Sequence, residues 1–199
     1  MRSNICKIEN GTKDLAAILS ESERVAEYNG LTHKQAQQLR LLCEETDGML
    51  PNIIDNFEGD FWIDFEDGIC KINVSVKIPE FNSDKKAELI GIARDKKNAA
   101  AVGIVGKIRD AIENFFLDEN CNSAFSNAPN AFRFSTGFSE GVDYSYIWSL
   151  EHYKNEAKKA ESEEKWDELE KSVIASVADD VIVGVKGNQA DIIIVKGFV

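Results

Sequence analysis

Apolar residues along the chain switch between two spacings, and the switches mark its elements. In FWIDFEDGICKINVSV, Phe61–Val76, they alternate with polar ones, as a half-buried strand requires. With Asp67-Gly68 as a two-residue turn, Phe65 faces Cys70, Ile63 faces Ile72 and Phe61 faces Val74, all on one side. Asp64 opposite Lys71 and Trp62 opposite Asn73 take the other side. A slip of one residue would turn the whole apolar set to water, so the register is specified. Val181–Val195 repeats the logic with Gly187-Asn188 as its turn: Val185 meets Ala190, Val183 meets Ile192 and Val181 meets Ile194.

Elsewhere the spacing is helical. After a short strand over Asn4–Glu9, Leu15, Ile18, Leu19, Val25 and Ala26 give a helix that Gly30 stops. Thr32 and Gln35 form a capping-box pair for a second helix, whose inward face is Ala36, Leu39, Leu42, Cys43 and Thr46. Leu41, Glu45 and Gly48 flank that face, and Gly48 and Pro51 are expected to break the helix. A short helix follows over Ser83–Ala93, then a longer one over Asn98–Phe116 with Ile104, Val105, Ile108, Ile112, Phe115 and Phe116 on one face. Tyr146–Lys165 is charged and reads as helix. Trp166, Leu169, Val173, Ile174 and Val177 then form an amphipathic stripe before the closing hairpin.

Between the helical stretches, Asp118–Asp143 loses any period. Ser, Asn and Gly dominate, with Phe125, Phe132, Phe134 and Phe138 among them. A loop of this length in a compact domain is functional or disordered, and its aromatics argue for docking at least part of the time. Strand, helix, helix, hairpin, helices, loop, helix, hairpin implies an α+β two-layer sandwich, with helices on one face of a mixed, mainly antiparallel sheet. One domain over residues 1–199 is expected, with a lid-like loop at 118–145.

Composition narrows the function. The 199 residues are 43% hydrophobic and carry a net charge of −12, with no cluster of Lys and Arg. A nucleic-acid binder neutralises phosphates with such a cluster, so none is expected as a partner. No stretch nears the roughly 18 apolar residues of a membrane span, and MRSNICKIENGTKDL has no apolar signal core. A cytoplasmic protein is therefore expected. Cys6, Cys43, Cys70 and Cys121 are far apart and form no C-x-x-C pair, which fits free thiols better than disulfides or zinc. His33 and His152 meet no ligand spacing and read as ordinary polar residues; no metal site is expected.

The stretch LRLLCEETDGMLPN, Leu39–Asn52, carries the candidate chemistry. Glu44, Glu45 and Asp47 are either a solvated helix edge or the border of a pocket. If the helix stops at Gly48 they lie in its last turn. There each opposes the helix dipole at about 0.3–1 kcal/mol, a local conflict of the kind that marks sites. Asp179-Asp180 reads as a turn between the last helix and the closing hairpin. Trp62 reads as surface and Trp166 as core.

Three stretches together resemble the histidine-kinase-like ATPase superfamily (GHKL, the Bergerat fold), closest to bacterial anti-sigma-factor serine kinases. They are the opening strand and two helices through ETDGML, the hairpin FWIDFEDGICKINVSV, and SVIASVADDVIVGVKGNQADIIIVKGF. The resemblance implies that Glu45 holds the catalytic-base position of the family's E-x-x-x-N box. The Mg²⁺-binding Asn of that box is replaced by Met49, which leaves Mg²⁺ open. KIPEFNSD stands where the family has the D-x-G-x-G box that reads adenine. In AAAVGIVGK, Gly103, Gly106 and Lys107 are the nearest match to the phosphate-cradling lid; without a strand–loop–helix context they read as a helix packing site. The function implied is that of an ATP-binding regulatory protein with weak or lost catalysis. The alternative is a non-catalytic protein-binding module that keeps the fold. A protein partner is expected in both, and a homodimer is left open.

Overall fold

The computed structural model describes residues 1–10, 15–54, 56–77, 103–117, 146–159 and 172–198. Six strands form one sheet: β1 (Cys6–Glu9), β2 (Glu58–Glu66), β3 (Ile69–Lys77), β4 (Tyr146–Ser149), β5 (Asp180–Lys186) and β6 (Gln189–Gly197). Their order is β1-β2-β3-β6-β5-β4. Every neighbouring pair is antiparallel, so the sheet is wholly antiparallel rather than mixed.

Both hairpins take the registers that the alternation specifies. Phe65 pairs with Cys70, Ile63 with Ile72 and Phe61 with Val74. Val185 pairs with Ala190, Val183 with Ile192 and Val181 with Ile194. Asp67 and Gly68 have φ of 51° and 79°, the left-handed pair that a tight hairpin needs to match strand twist. The hairpins join along β3 and β6, where Ile72 meets Ile194 and Val74 meets Ile192. Inward rows such as Phe61–Val74–Ile192–Val183 therefore run unbroken across four strands.

The helices cover that inward face. They are α1 (Leu15–Tyr28), α2 (His33–Ile53), α3 (Gly103–Leu117), α4 (Leu150–Lys159) and α5 (Val173–Val177). Ile18 and Val25 of α1, Leu39 and Leu42 of α2, Ile104 and Ile108 of α3, Leu150 of α4 and Ile174 of α5 join one core with the inward strand residues. Burying each such side chain contributes about 1.5–3 kcal/mol. Gly30, at φ +64°, ends the α1 segment, and Thr32 and Gln35 close a reciprocal capping box on α2. The result is the two-layer α+β sandwich.

Two sequence expectations are corrected. First, α2 does not end at Gly48; it continues through Pro51 to Ile53. Glycine and proline cost a helix about 1 and about 3 kcal/mol. Met49, Leu50 and Ile53 are all buried in the core, and their burial outweighs that cost. Asn52 Nδ2 donates to the Gly48 carbonyl at 3.3 Å, and Ile54 N–H donates to Leu50 at 2.9 Å. Second, Tyr146–Lys165 does not open as helix. Tyr146–Ser149 pairs with β5 as an edge strand, and the helix starts at Leu150. The Ser83–Ala93 helix, the loop at 118–145 and Trp166 lie outside the described residues.

Candidate functional site

The longer α2 changes the setting of its acids. Glu44, Glu45 and Asp47 are mid-helix, so the last-turn dipole conflict does not exist. Glu44 accepts from Arg40 at 3.2 Å, and Arg40 also reaches Glu23 of α1. Such pairs are a solvated edge, worth a few tenths of a kcal/mol. Glu45 is half-buried and has no hydrogen-bond or ion-pair partner among the described residues. Four residues on, Met49 is 4% exposed and packed into the core. Thr46, between them, is fully buried and its hydroxyl donates to the Leu42 carbonyl at 2.5 Å.

Gly103, Gly106 and Lys107 all fall on α3, which packs against α2, β4 and β5. Gly106 is buried within the helix, as a packing glycine would be. The Lys107 ammonium lies 5.6 Å from the Tyr153 ring centroid on α4, a cation–π contact. Tyr153 in turn tilts against Trp148 of β4 at 6.2 Å. The two helices that carry the sequence-derived candidates are thus neighbours, but Lys107 engages α4 rather than α2.

A second arrangement sits on the opposite face of the sheet, at the β2–β3 hairpin. Asp64 accepts two bonds from Arg2, at 2.7 and 3.0 Å. It also accepts from Trp62 Nε1 at 2.9 Å and Asn73 Nδ2 at 3.2 Å. The Arg2 guanidinium lies 5.7 Å from the Trp62 ring centroid, and its bond to Asp64 raises its pKa. The carboxylate is saturated with donors, which makes it a structural clasp for the amino-terminal segment. A recess of about 530 Å³ lies beside it, lined by Met1, Arg2, Asp64, Phe65, Glu66, Asp67, Ile69 and Lys71. None of Glu45, Gly103, Gly106 or Lys107 borders that recess.

Asp179 forms the bend between α5 and the closing hairpin, whereas Asp180 is already the first residue of β5, and each has a further task. Asp179 accepts from Gly197 N–H and Lys196 Nζ, both at 2.7 Å, and so pins the end of β6. Burial works to raise its carboxyl, but those hydrogen bonds and the charges of Lys196 and Lys154 outweigh it and hold the carboxyl below its usual range. Asp180 accepts from Glu151 N–H at 2.9 Å, capping α4 from across the β4–β5 pair. Burial raises its carboxyl despite those bonds. Sequence reading missed this cap because the donor is far away in the chain.

Cys43 and Cys70 are 0% and 1% exposed, and burial pushes both thiols up, Cys70 to about 12. Among the described residues no group of three or more His, Cys, Asp and Glu is placed to hold a metal ion. Nor is any described helix long and apolar enough to cross a membrane. Compared with family models, with curated proteins and with solved structures, the chain matches none.

Proposed function

We propose that this chain is a regulatory protein that acts by binding a protein partner, on an architecture like that of the histidine-kinase-like ATPases. In this reading it performs no Mg²⁺-dependent phosphoryl transfer from α2. The observation that carries the reading is Met49. It stands where the resemblance requires a metal-binding amide, and its side chain is packed in the core at 4% exposure. Mg²⁺ takes oxygen ligands in near-octahedral geometry, and a buried thioether offers none. Strand order and helix placement support the architectural half of the reading: both hairpins lie in one sheet beneath the same helix layer. The net charge of −12 favours a basic patch on the partner and argues against nucleic acid. A cytoplasmic location and an anti-sigma-type partner belong to the same proposal.

A second reading keeps ATP as a ligand. It is favoured by Glu45, half-buried and without a partner among the described residues, on a helix packed against α3. Thermal unfolding with ATP, ADP and Mg²⁺, alongside ATP turnover, separates the two. A ligand that binds only the folded state at 100 times its Kd stabilises by about 2.7 kcal/mol. The protein-binding reading expects no Mg²⁺-dependent shift and no turnover. A Mg²⁺-dependent shift with turnover abolished by Glu45→Ala would replace it with the enzymatic one.

A further inference from the structure

A single exposed isoleucine carries no message, because much of any folded surface is apolar. Two large apolar side chains at one recess are a different matter. Ile69 is 44% exposed and Met1 is 37% exposed, and both line the recess of about 530 Å³ beside the Arg2–Asp64 clasp. Ile69 owes its exposure to its strand neighbours. On β6 it pairs with Gly197, which has no side chain to shelter it, and on β2 it pairs with Glu66. The tight turn at Asp67 and Gly68 directly precedes it.

The surroundings of these two residues are held in place and acidic. The Met1 nitrogen donates to the Phe65 carbonyl at 2.5 Å, and the Met1 carbonyl accepts from Phe65 N–H at 2.8 Å. The Phe65 ring stacks on Phe198, with centroids 6.5 Å apart and 9° between planes. Arg2 and Asp64 neutralise each other. Glu66 and Asp67 then stand against Lys71, and among the described residues neither carboxylate has an ion-pair or hydrogen-bond partner. Asn29 Nδ2 donates to the Val25 carbonyl at 2.7 Å and to Met1 Sδ at 3.5 Å, so the carboxyl-terminal end of α1 stands beside Met1. The carbonyl end of a helix favours cations.

We propose that this recess docks a segment of the protein partner in which an aliphatic side chain stands next to lysine or arginine. The inference rests on the protein-binding reading and gives it a place and a chemistry. The aliphatic group covers Ile69 and Met1 and takes their exposed apolar surface out of water. The cation meets Glu66 and Asp67, two carboxylates that no group of the described chain neutralises. The volume is that of an ordinary ligand pocket, about 300–1,000 Å³. A second copy of this chain is a poor occupant, because each carries a net charge of −12 and the two repel on approach. The same charge hastens the encounter with a basic segment.

Titrating the isotopically labelled full chain with the peptide acetyl-GLKKLG-amide, followed by nuclear magnetic resonance, tests this. The amide signals of Phe65–Lys71 should shift, and acetyl-GLEELG-amide should leave them in place. Ile69→Ser should weaken binding about tenfold, the worth of one lost aliphatic contact. The E66Q/D67N variant removes both charges, while asparagine keeps the left-handed conformation of Asp67 at the turn. It should weaken binding about fivefold and abolish its dependence on salt. Shifts confined to other segments, equal response to the two peptides, or undiminished affinity of either variant overturn the proposal. So do the same shifts on concentrating the free protein, which would make a second copy the occupant. No response to the lysine peptide overturns it too, yet leaves the protein-binding reading standing. That reading falls instead to Mg²⁺-dependent turnover abolished by Glu45→Ala.

Discussion

Replacing Met49 by Asn sets the two functional readings against each other on one residue. The substitution restores the amide that the resemblance calls for, at a position that is 4% exposed. If the side chain belongs to the core, two losses follow. The buried thioether contributes about 1.5–3 kcal/mol, which disappears. The amide that replaces it brings buried donors and acceptors without partners, at about 1–3 kcal/mol more. The sum is about 2.5–6 kcal/mol, a large share of the total stability of a domain this size. For a chain of this length that corresponds to a fall in Tm of roughly 5–24 °C. Met49→Leu, which conserves volume, should cost under about 1.5 kcal/mol and serves as the control. Calorimetry or dichroism-monitored melting with and without Mg²⁺-ATP gives the readout. A Met49→Asn protein with Tm within about 3 °C of the parent, raised further by Mg²⁺-ATP, would show that this position faces a ligand site and refute the core assignment.

Three further outcomes follow from the same geometry. A Cβ at Gly59 would lie 2.2 Å from the Ser75 carbonyl oxygen and 2.8 Å from Val76 Cγ1, so Gly59→Ala should cost about 3 kcal/mol by urea unfolding; a loss under about 1 kcal/mol would contradict the close β2–β3 approach. Cys43 and Cys70 should resist alkylation at pH 8 until denaturant is added, because buried thiols with raised pKa hold little thiolate; native-state labelling at the rate of a free thiol would refute this. The lowered Asp179 carboxyl contributes stability that is present above its unfolded pKa of about 3.9 and lost as pH falls through the lower folded value. Asp179→Asn should therefore flatten the acid side of the Tm–pH curve. Its side chain is 52% exposed, so the effect at neutral pH stays under about 1 kcal/mol. An unchanged acid slope would show the bonds to Lys196 and Gly197 to be inconsequential.

What could be read in the sequence was whatever two nearby stretches decide between themselves. Phe61–Val76 contains its own turn and alternation, so the pairing of Phe65 with Cys70 needs no distant information. Thr32 and Gln35 are three residues apart, and the capping box is legible for the same reason. Gly48 and Pro51 misled because local propensity cannot weigh the burial of Met49, Leu50 and Ile53 against a core assembled elsewhere. Strand β4 was hidden since four residues carry little pattern, and its partner β5 follows beyond both α4 and α5 in the chain. Ile182 and Ile193, buried although their pair lies out of register with the inward rows, did leave a signal: VIVGV and IIIV are continuous apolar runs, which mark strands buried on both faces. The candidate site was the least legible part, because Glu45, Gly106 and Lys107 acquire meaning only from which helices touch.

The seam between β3 and β6 has a kinetic consequence. Ile72 and Ile194 are about 120 residues apart in the chain yet adjacent in the middle of the sheet. Closing so long a loop adds little to the equilibrium cost, which grows only with the logarithm of length. It weighs heavily on the folding rate, since that entropy is lost before the seam's contacts repay it. Until β6 arrives, the amino-terminal hairpin exposes β3 as a bare edge, with Ile72, Val74 and Val76 unprotected. Such an edge is a template for pairing with another chain. A ribosome that pauses before the closing hairpin would thus hold an aggregation-prone intermediate, and holdase chaperones should bind truncated chains that end between β3 and β6.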